Sequence, residues 1–481
     1  MGENISYSKI IGLILGPLLF SLVLLMGDPS SQTVWKVLAL ACWMITWWVT
    51  ESVPIPVTAL LPMVLLPYLG VFTVAESTAP YASPIIFLFM GGFIIALGME
   101  KHNLHQRIAL NLIKITGTSA NGIIWGFMVA TALLSMWISN TATTVMMLPI
   151  AISVIDLLFK ENKSQHQGYQ LFALGLMLSI AYSANIGGSM TLIGTPPNVV
   201  MAGYLSEMLA YEMNFSTWLM IGVPTGLIML GLTYFILTRF LFVSDIGVIE
   251  GSEKLIIEKL HGLGSFSKEE KMVASIFALT ASGWIFKSQI NSFLGGPFLS
   301  DTTTAMVGGL LMFIMPVNLK QGGFLLQWED TKKLPWGILV LFGGGMCLAK
   351  AMEKSGIINM IGDFVAANSS LGTFSLIAIV VALVLFMTEL MSNVALITIF
   401  LPVIIGVSQG LNIDPMILVI PATIAASCAF MMPISTPPNA IVFASGHIHI
   451  REMMRAGFFL NLLSISVLTL VGFILVPILF L

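Results

Sequence analysis

Charge is what this chain has least of. Of 481 residues only 9% are Asp, Glu, Lys or Arg, and 57% are hydrophobic. A soluble core has no room for that much apolar side chain, so the composition excludes an ordinary globular domain and places the chain in lipid. Cysteine is scarce too: Cys42, Cys347 and Cys428 sit in apolar surroundings without a CxxC spacing, which leaves neither a disulfide framework nor a thiolate metal site. A net charge of −3 offers nothing to nucleic acid. HExxH, GxSxG and a Ser/His/Asp set at membrane depth are all missing, so a membrane enzyme has no chemistry to work with. A channel would need a continuous polar path, whereas here the polar residues gather at one depth.

Apolar runs are abundant: Ile10 to Met26, Val34 to Thr50, Leu219 to Phe242, Phe374 to Met387 and Phe458 to Leu481. Several reach the roughly 20 residues that span a bilayer. The first is long, lacks a small-x-small site before Asp28 and is followed directly by more membrane, so it reads as a span and not a signal peptide. The predicted architecture is an all-α polytopic membrane protein with eleven transmembrane helices and two extra re-entrant hairpins.

Basic residues test that drawing, because Lys and Arg gather on the cytoplasmic side. With Lys9 inside, Lys101, Arg107, Lys114, Lys160, Lys163, Arg239, Lys254, Lys259, Lys268, Lys271, Lys320, Lys332, Lys333, Arg451 and Arg455 also fall inside. Only Lys36, Lys287, Lys350 and Lys354 fall outside. The expected arrangement is a cytoplasmic N-terminus and an external C-terminus in the inner (plasma) membrane.

Sliding the chain on itself by 253 residues lays Glu100-Lys101 on Glu353-Lys354, Ser139-Asn140 on Ser392-Asn393, and Pro149 on Pro402. Farther on, the tetrad Thr195-Pro196-Pro197-Asn198 meets Thr436-Pro437-Pro438-Asn439 at 241, the difference matching the polar loop Phe159 to Gln170. Self-matching of apolar sequence accounts for aligned Leu and Ile but not for paired SN and TPPN. In the predicted topology the two copies are inverted, and inverted repeats place a transporter's site at their interface.

Ser139-Asn140-Thr141 interrupts the apolar run from about Asn121 to Leu158, as a hairpin tip would. Backbone at membrane depth must be buried in protein or line a wet cavity. The second arm, expected to start at Ala142, would aim its positive end at that cavity. In the tetrad, Thr195 as cap and Pro196 as first residue would start a second half-helix, and Thr436 and Pro437 would repeat this. Four half-helix N-termini would then converge, which favours an anion. No Lys or Arg adjoins these segments in sequence, so a co-bound cation is the natural supplement. Carbonyls of unwound helix with the hydroxyls of Ser135, Ser139 and Thr388 are hard donors suited to Na⁺. Glu51 and Glu389 are costly carboxylates in apolar segments, and Glu389 reads as a support for the second tip. His102 and His105 read as surface residues of an amphipathic helix.

These motifs resemble the divalent-anion/sodium symporters, the INDY-type dicarboxylate and citrate carriers, over essentially the whole chain. The stretch Ala425 to His447 is especially similar to bacterial members. The resemblance implies a homodimeric elevator, with scaffold helices in residues 1–118 and 243–370 and transport-domain parts, each a hairpin and a broken helix, in 119–242 and 371–481. It implies one Na⁺ site at Ser135, Ser139, Asn140 and Gly194, and a second at Thr388, Met391, Asn393 and Ser435. It implies substrate contacts from Asn140, Thr141, Thr195, Pro196, Asn393, Val394, Thr436 and Pro437. The chain departs from the family pattern at Val394, where a Thr is common, and at Met391 and Ser435, where smaller residues are. The expected activity is Na⁺-coupled transport of C4 dicarboxylates such as succinate, malate and fumarate; the alternative is a Na⁺-independent exchanger that also takes 2-oxoglutarate or citrate.

Overall fold

The computed structural model describes residues 7–161, 167–318, 323–368 and 371–480. Residues 162–166 of the loop that distinguishes the two halves, Lys163 among them, lie outside these, as does Lys320. Nine helices among the described residues are long and apolar enough to cross a membrane, from Tyr7–Met26 to Ile450–Phe480. Shorter apolar helices stand between them, including Ala120–Ser135 and Thr373–Thr388. Large apolar side chains such as Ile14, Leu227, Leu279 and Ile478 are left exposed, as lipid contact requires.

The duplication is visible in the helix boundaries. Two helices of 16 residues, Ala120–Ser135 and Thr373–Thr388, begin and end at positions 253 apart, and their partners start at Asn140 and Asn393. The second arm therefore begins at Asn140, two residues before the expected Ala142. The cause is Ser139, whose Oγ accepts the Ala142 N–H at 3.2 Å and so caps a helix whose first turn is Asn140 to Ala142.

A reciprocal pair of ion bridges joins the two copies. Helix Pro84–Lys101 ends with Lys101 Nζ 2.6 Å from Asp330, just ahead of helix Trp336–Ser355. That second helix ends with Lys354 Nζ 3.2 Å from Glu76, just ahead of the first. Both acids are the third residue of a capping box, Glu76 with Thr73 and Asp330 with Gln327. Burial works against the Asp330 carboxylate, but the Gln327 N–H and the Lys101 ammonium outweigh it and hold its pKa below the usual aspartate value.

Three sequence readings need correction. Glu51 is exposed, because it ends helix Gln32–Thr50 in the left-handed conformation (φ 47°) and leaves the apolar segment there. His105 is buried, with Nδ1 3.0 Å from the Met99 carbonyl, and His102 Nε2 is 2.9 Å from the Leu325 carbonyl. These histidines fasten the start of the amphipathic helix Leu104–Ile115 where it turns away from Pro84–Lys101, so they are not free surface groups.

Candidate ion and anion site

At the first tip, Ser135 Oγ donates to Asn140 Oδ1 at 2.7 Å. At the second, the Thr388 hydroxyl lies 2.6 Å from Asn393 Oδ1 and 2.8 Å from the Ala426 carbonyl oxygen. The same hydroxyl-to-amide bond thus recurs at the repeat spacing. It ties each Asn carbonyl to the end of the preceding arm and leaves the Nδ2 donors for a ligand. In both copies Asn follows a Ser cap, so the first free backbone N–H groups of the arm, those of Asn140 and Thr141 or Asn393 and Val394, are also left over. Val394 lacks the hydroxyl but keeps its N–H.

Both tetrads begin helices as expected, at Pro196–Leu209 and Pro437–Ala444; Thr436 caps its helix through its hydroxyl, whereas Thr195 holds the N-cap position without a side-chain cap bond. Their asparagines do something the sequence does not announce. Asn198 Nδ2 donates to the Thr191 carbonyl at 2.7 Å and the Ser189 carbonyl at 3.3 Å. Asn439 Nδ2 repeats this with Met432 at 3.1 Å and Ala429 at 3.0 Å. Each Asn clasps the unwound backbone ahead of its helix and satisfies carbonyls that the break would orphan. Asn185 crosses between copies, its Nδ2 3.2 Å from both the Ala429 carbonyl and Thr436 Oγ1.

The picture of four equivalent helix N-termini needs amendment. Prolines occupy the first two positions of both tetrad helices and have no N–H. The next donor is spent internally, Asn198 N on the Thr195 carbonyl at 3.2 Å and Asn439 N on Thr436 Oγ1 at 3.4 Å. The tetrad helices contribute a dipole but no free N–H from their first three residues, so an anion must find its backbone donors at the two tips.

The unwound segment of the first copy suits a hard cation. A Cβ placed on Gly194 would lie 2.4 Å from the Gly188 carbonyl oxygen and 3.0 Å from both the Ser135 carbonyl oxygen and Thr191 Oγ1, and one on Gly188 would meet Asn140 Oδ1. Neutral oxygens therefore crowd around a space kept open by the missing side chains, a donor set that fits Na⁺. Gly194→Ala drives a methyl against the Gly188 carbonyl, so the unwound segment must shift; the Na⁺ concentration for half-maximal uptake is expected to rise by about tenfold, as read from Na⁺ titrations of transport normalised to folded protein.

In the second copy Ala429 and Ser435 replace those glycines. The Ser435 hydroxyl donates to the Met432 carbonyl at 2.6 Å. The break there is organised instead by Glu389, 3% exposed. Its carboxylate accepts from Phe430 N at 2.8 Å, Met431 N at 2.9 Å, Met432 N at 3.1 Å and Asn461 Nδ2 at 2.9 Å.

Both tips and the starts of both tetrad helices meet at one cavity of about 600 Å³. Asn140, Thr141, Thr195, Pro196, Asn393, Val394, Thr436 and Pro437 all line it, with Ser139, Gly194 and Ser435. Ser135 and Thr388 stand fully buried behind the two asparagines, and Met391 is half-buried outside the lining. Sequence reading missed Asn185, Glu100 and Lys333, which also line the cavity. The last corrects the expectation that no cationic side chain is near: Lys333 is remote in sequence from both tips, and only packing brings it in. Among the described residues no three His, Cys, Asp or Glu side chains come together as a metal site.

Residues 8–481 match the sodium:sulfate symporter transmembrane region. The chain is 41% identical to the sodium-dependent dicarboxylate transporter SdcS of Staphylococcus saprophyticus, over 99% of this chain and 93% of that protein. It is likewise 41% identical to SdcS of Staphylococcus aureus strain USA300, over 98% and 92%. Among solved structures it is similar in fold to the Neisseria gonorrhoeae antimetabolite efflux pump MtrF, with TM-score 0.57 and 11% identity over 98% of this chain and 96% of that one. The Alcanivorax borkumensis YdaH transporter is similar to the same degree, with TM-score 0.57 and 16% identity over 97% and 99%. The match along nearly its whole length shows that this chain belongs to the sodium:sulfate symporter family, the divalent-anion/sodium symporters that its paired motifs resemble.

Proposed function

We propose that this protein carries C4 dicarboxylates such as succinate, malate and fumarate across the plasma membrane together with Na⁺. The observation that carries the reading is the pairing of Asn140 and Asn393, each backed by a hydroxyl and each facing the same cavity from its own copy. Two donor clusters facing one space match a substrate with a carboxylate at either end. The oxygen niche beside Gly194 supplies the cation that offsets its charge. In this reading the helix pairs Ala120–Ser135 with Asn140–Glu161 and Thr373–Thr388 with Asn393–Gly410 are re-entrant hairpins of two inverted repeats. They move as a transport domain against scaffold helices such as Pro84–Lys101 and Trp336–Ser355, in a homodimer with eleven spans per subunit, its N-terminus cytoplasmic and its C-terminus outside.

The cavity shares Leu97, Glu100, Ala142, Val145 and Lys333 with a neighbouring cleft lined by Lys101, Gln106, Pro149 and Lys259, which supports an opening at the end of the molecule that carries these basic residues. On the positive-inside rule that end is cytoplasmic, and the conformation is inward-open.

The test is radiolabelled succinate uptake into proteoliposomes under inward Na⁺ or K⁺ gradients, with and without internal succinate. Uptake that requires Na⁺ in empty vesicles is expected. Uptake that ignores Na⁺ and requires internal dicarboxylate would make the protein an exchanger and remove the cation roles.

A further inference from the structure

We propose that Lys333 and Glu100 form an electrostatic door to the substrate cavity, with Lys333 drawing the dicarboxylate in and Glu100 opposing it. Lys333 is the one cationic and Glu100 the one anionic side chain among the described residues that line the cavity. Both also line the cleft through which it opens, so they stand at the junction between binding space and entrance. Neither belongs to a tip or a tetrad, so the door is built on elements apart from those that grip the substrate.

Their placement is set by the local fold. Lys333 ends the short 3-10 segment Trp328–Lys333, which the Lys101–Asp330 bridge pins at 2.6 Å to the end of helix Pro84–Lys101. Glu100 lies one residue before Lys101 on that helix, so one bridge fixes both charges at the cavity edge. Lys101 is already committed to Asp330, and Lys259 lies farther out in the cleft. Lys333 itself is exposed and forms no ion pair among the described residues, so its ammonium is placed to meet an incoming anion.

The duplication argues that this lysine is not there for the fold. Glu100 has a counterpart in Glu353, but 254 residues before Lys333, at the spacing that relates Asp330 to Glu76, stands Ala79. The capping box, the ion bridge and the glutamate are all repeated, and the lysine is not. An unopposed Glu100 would repel a dianion at the door. A lysine beside it cancels that charge, so the repulsion no longer reaches an anion within a Debye length of about 10 Å at ordinary ionic strength.

This door rests on the dicarboxylate reading, and the measurement separates the two. Equilibrium binding of radiolabelled succinate to the purified full-length protein is measured at fixed Na⁺, with choline chloride raised from none to about 0.5 M. Na⁺-dependent binding by the wild type tests the functional reading itself. Given that binding, Lys333→Gln is expected to raise Kd about fivefold at low salt and to approach the wild type at high salt, while Lys333→Arg stays near wild type. Glu100→Gln is expected to lower Kd, and the double variant to return toward wild type. A structural role could not produce effects of opposite sign. Wild-type affinity in Lys333→Gln at low salt, or weakened binding in a folded Glu100→Gln, overturns the door and leaves the transport assignment standing.

Discussion

Asn140→Ala and Asn393→Ala are each expected to cut Na⁺-driven succinate uptake by at least roughly 100-fold, about 2.7 kcal/mol, while the protein still assembles and inserts. Each substitution removes a pair of amide donors from the cavity wall. Each also strips Oδ1 away from a buried hydroxyl, Ser135 Oγ at 2.7 Å in one copy and Thr388 Oγ1 at 2.6 Å in the other. Anion contact and cation niche are damaged together, because the same side chain presents Nδ2 to one and Oδ1 to the other. The two variants also separate the copies. If the first copy holds its cation through Gly188 and Gly194, Asn140→Ala should shift Na⁺ activation more than Asn393→Ala, while both lose succinate. Uptake at wild-type rates by either variant in proteoliposomes would sink the assignment of the tips.

Glu389→Ala is the second large expected effect, and it acts on the scaffolding of the site. The carboxylate gathers the consecutive N–H groups of Phe430, Met431 and Met432 and the amide of Asn461, all within 3.1 Å. Removing it leaves those buried donors without an acceptor, at a cost of about 3 kcal/mol or more. The unwound segment ahead of Thr436 then loses its anchor, and Ser435 and Thr436 leave their places in the cavity wall. The apparent melting temperature in scanning fluorimetry should fall clearly, and Na⁺-dependent uptake should be lost. Glu389→Gln keeps the volume but turns an NH₂ toward donors, so it should behave much like Ala. A Gln variant with wild-type stability and uptake would show that the segment holds itself.

What could be read from the sequence followed the duplication. The paired SN and TPPN motifs located both tips and both helix breaks, and all their residues except the tetrad asparagines line one cavity. Periodic apolar runs and short polar interruptions are local signals, and membrane depth amplifies them because unpaired backbone is so costly there. The misses arise where packing between helices, not a local pattern, sets a residue's surroundings. The burial of His105 depends on the Met99 carbonyl at the turn between two helices, and the arrival of Lys333 at the cavity on a bridge between residues 101 and 330. The start of the arm at Asn140 was within reach, since a Ser cap with a donor three residues on is a known signature. The silence of the tetrad helices was also legible, for two prolines announce two missing N–H groups.

That silence has a consequence for turnover. A phosphate-binding loop seizes its anion with a whole turn of backbone N–H groups and holds it for as long as chemistry needs. A carrier has the opposite task, because whatever it seizes it must let go on the other side of the membrane. By beginning two of the four helices that face the cavity with Pro-Pro, this chain keeps their field and forgoes their grip. The dwell time of the dicarboxylate is then governed by the tips and by Na⁺, so once the cations depart little remains to detain it.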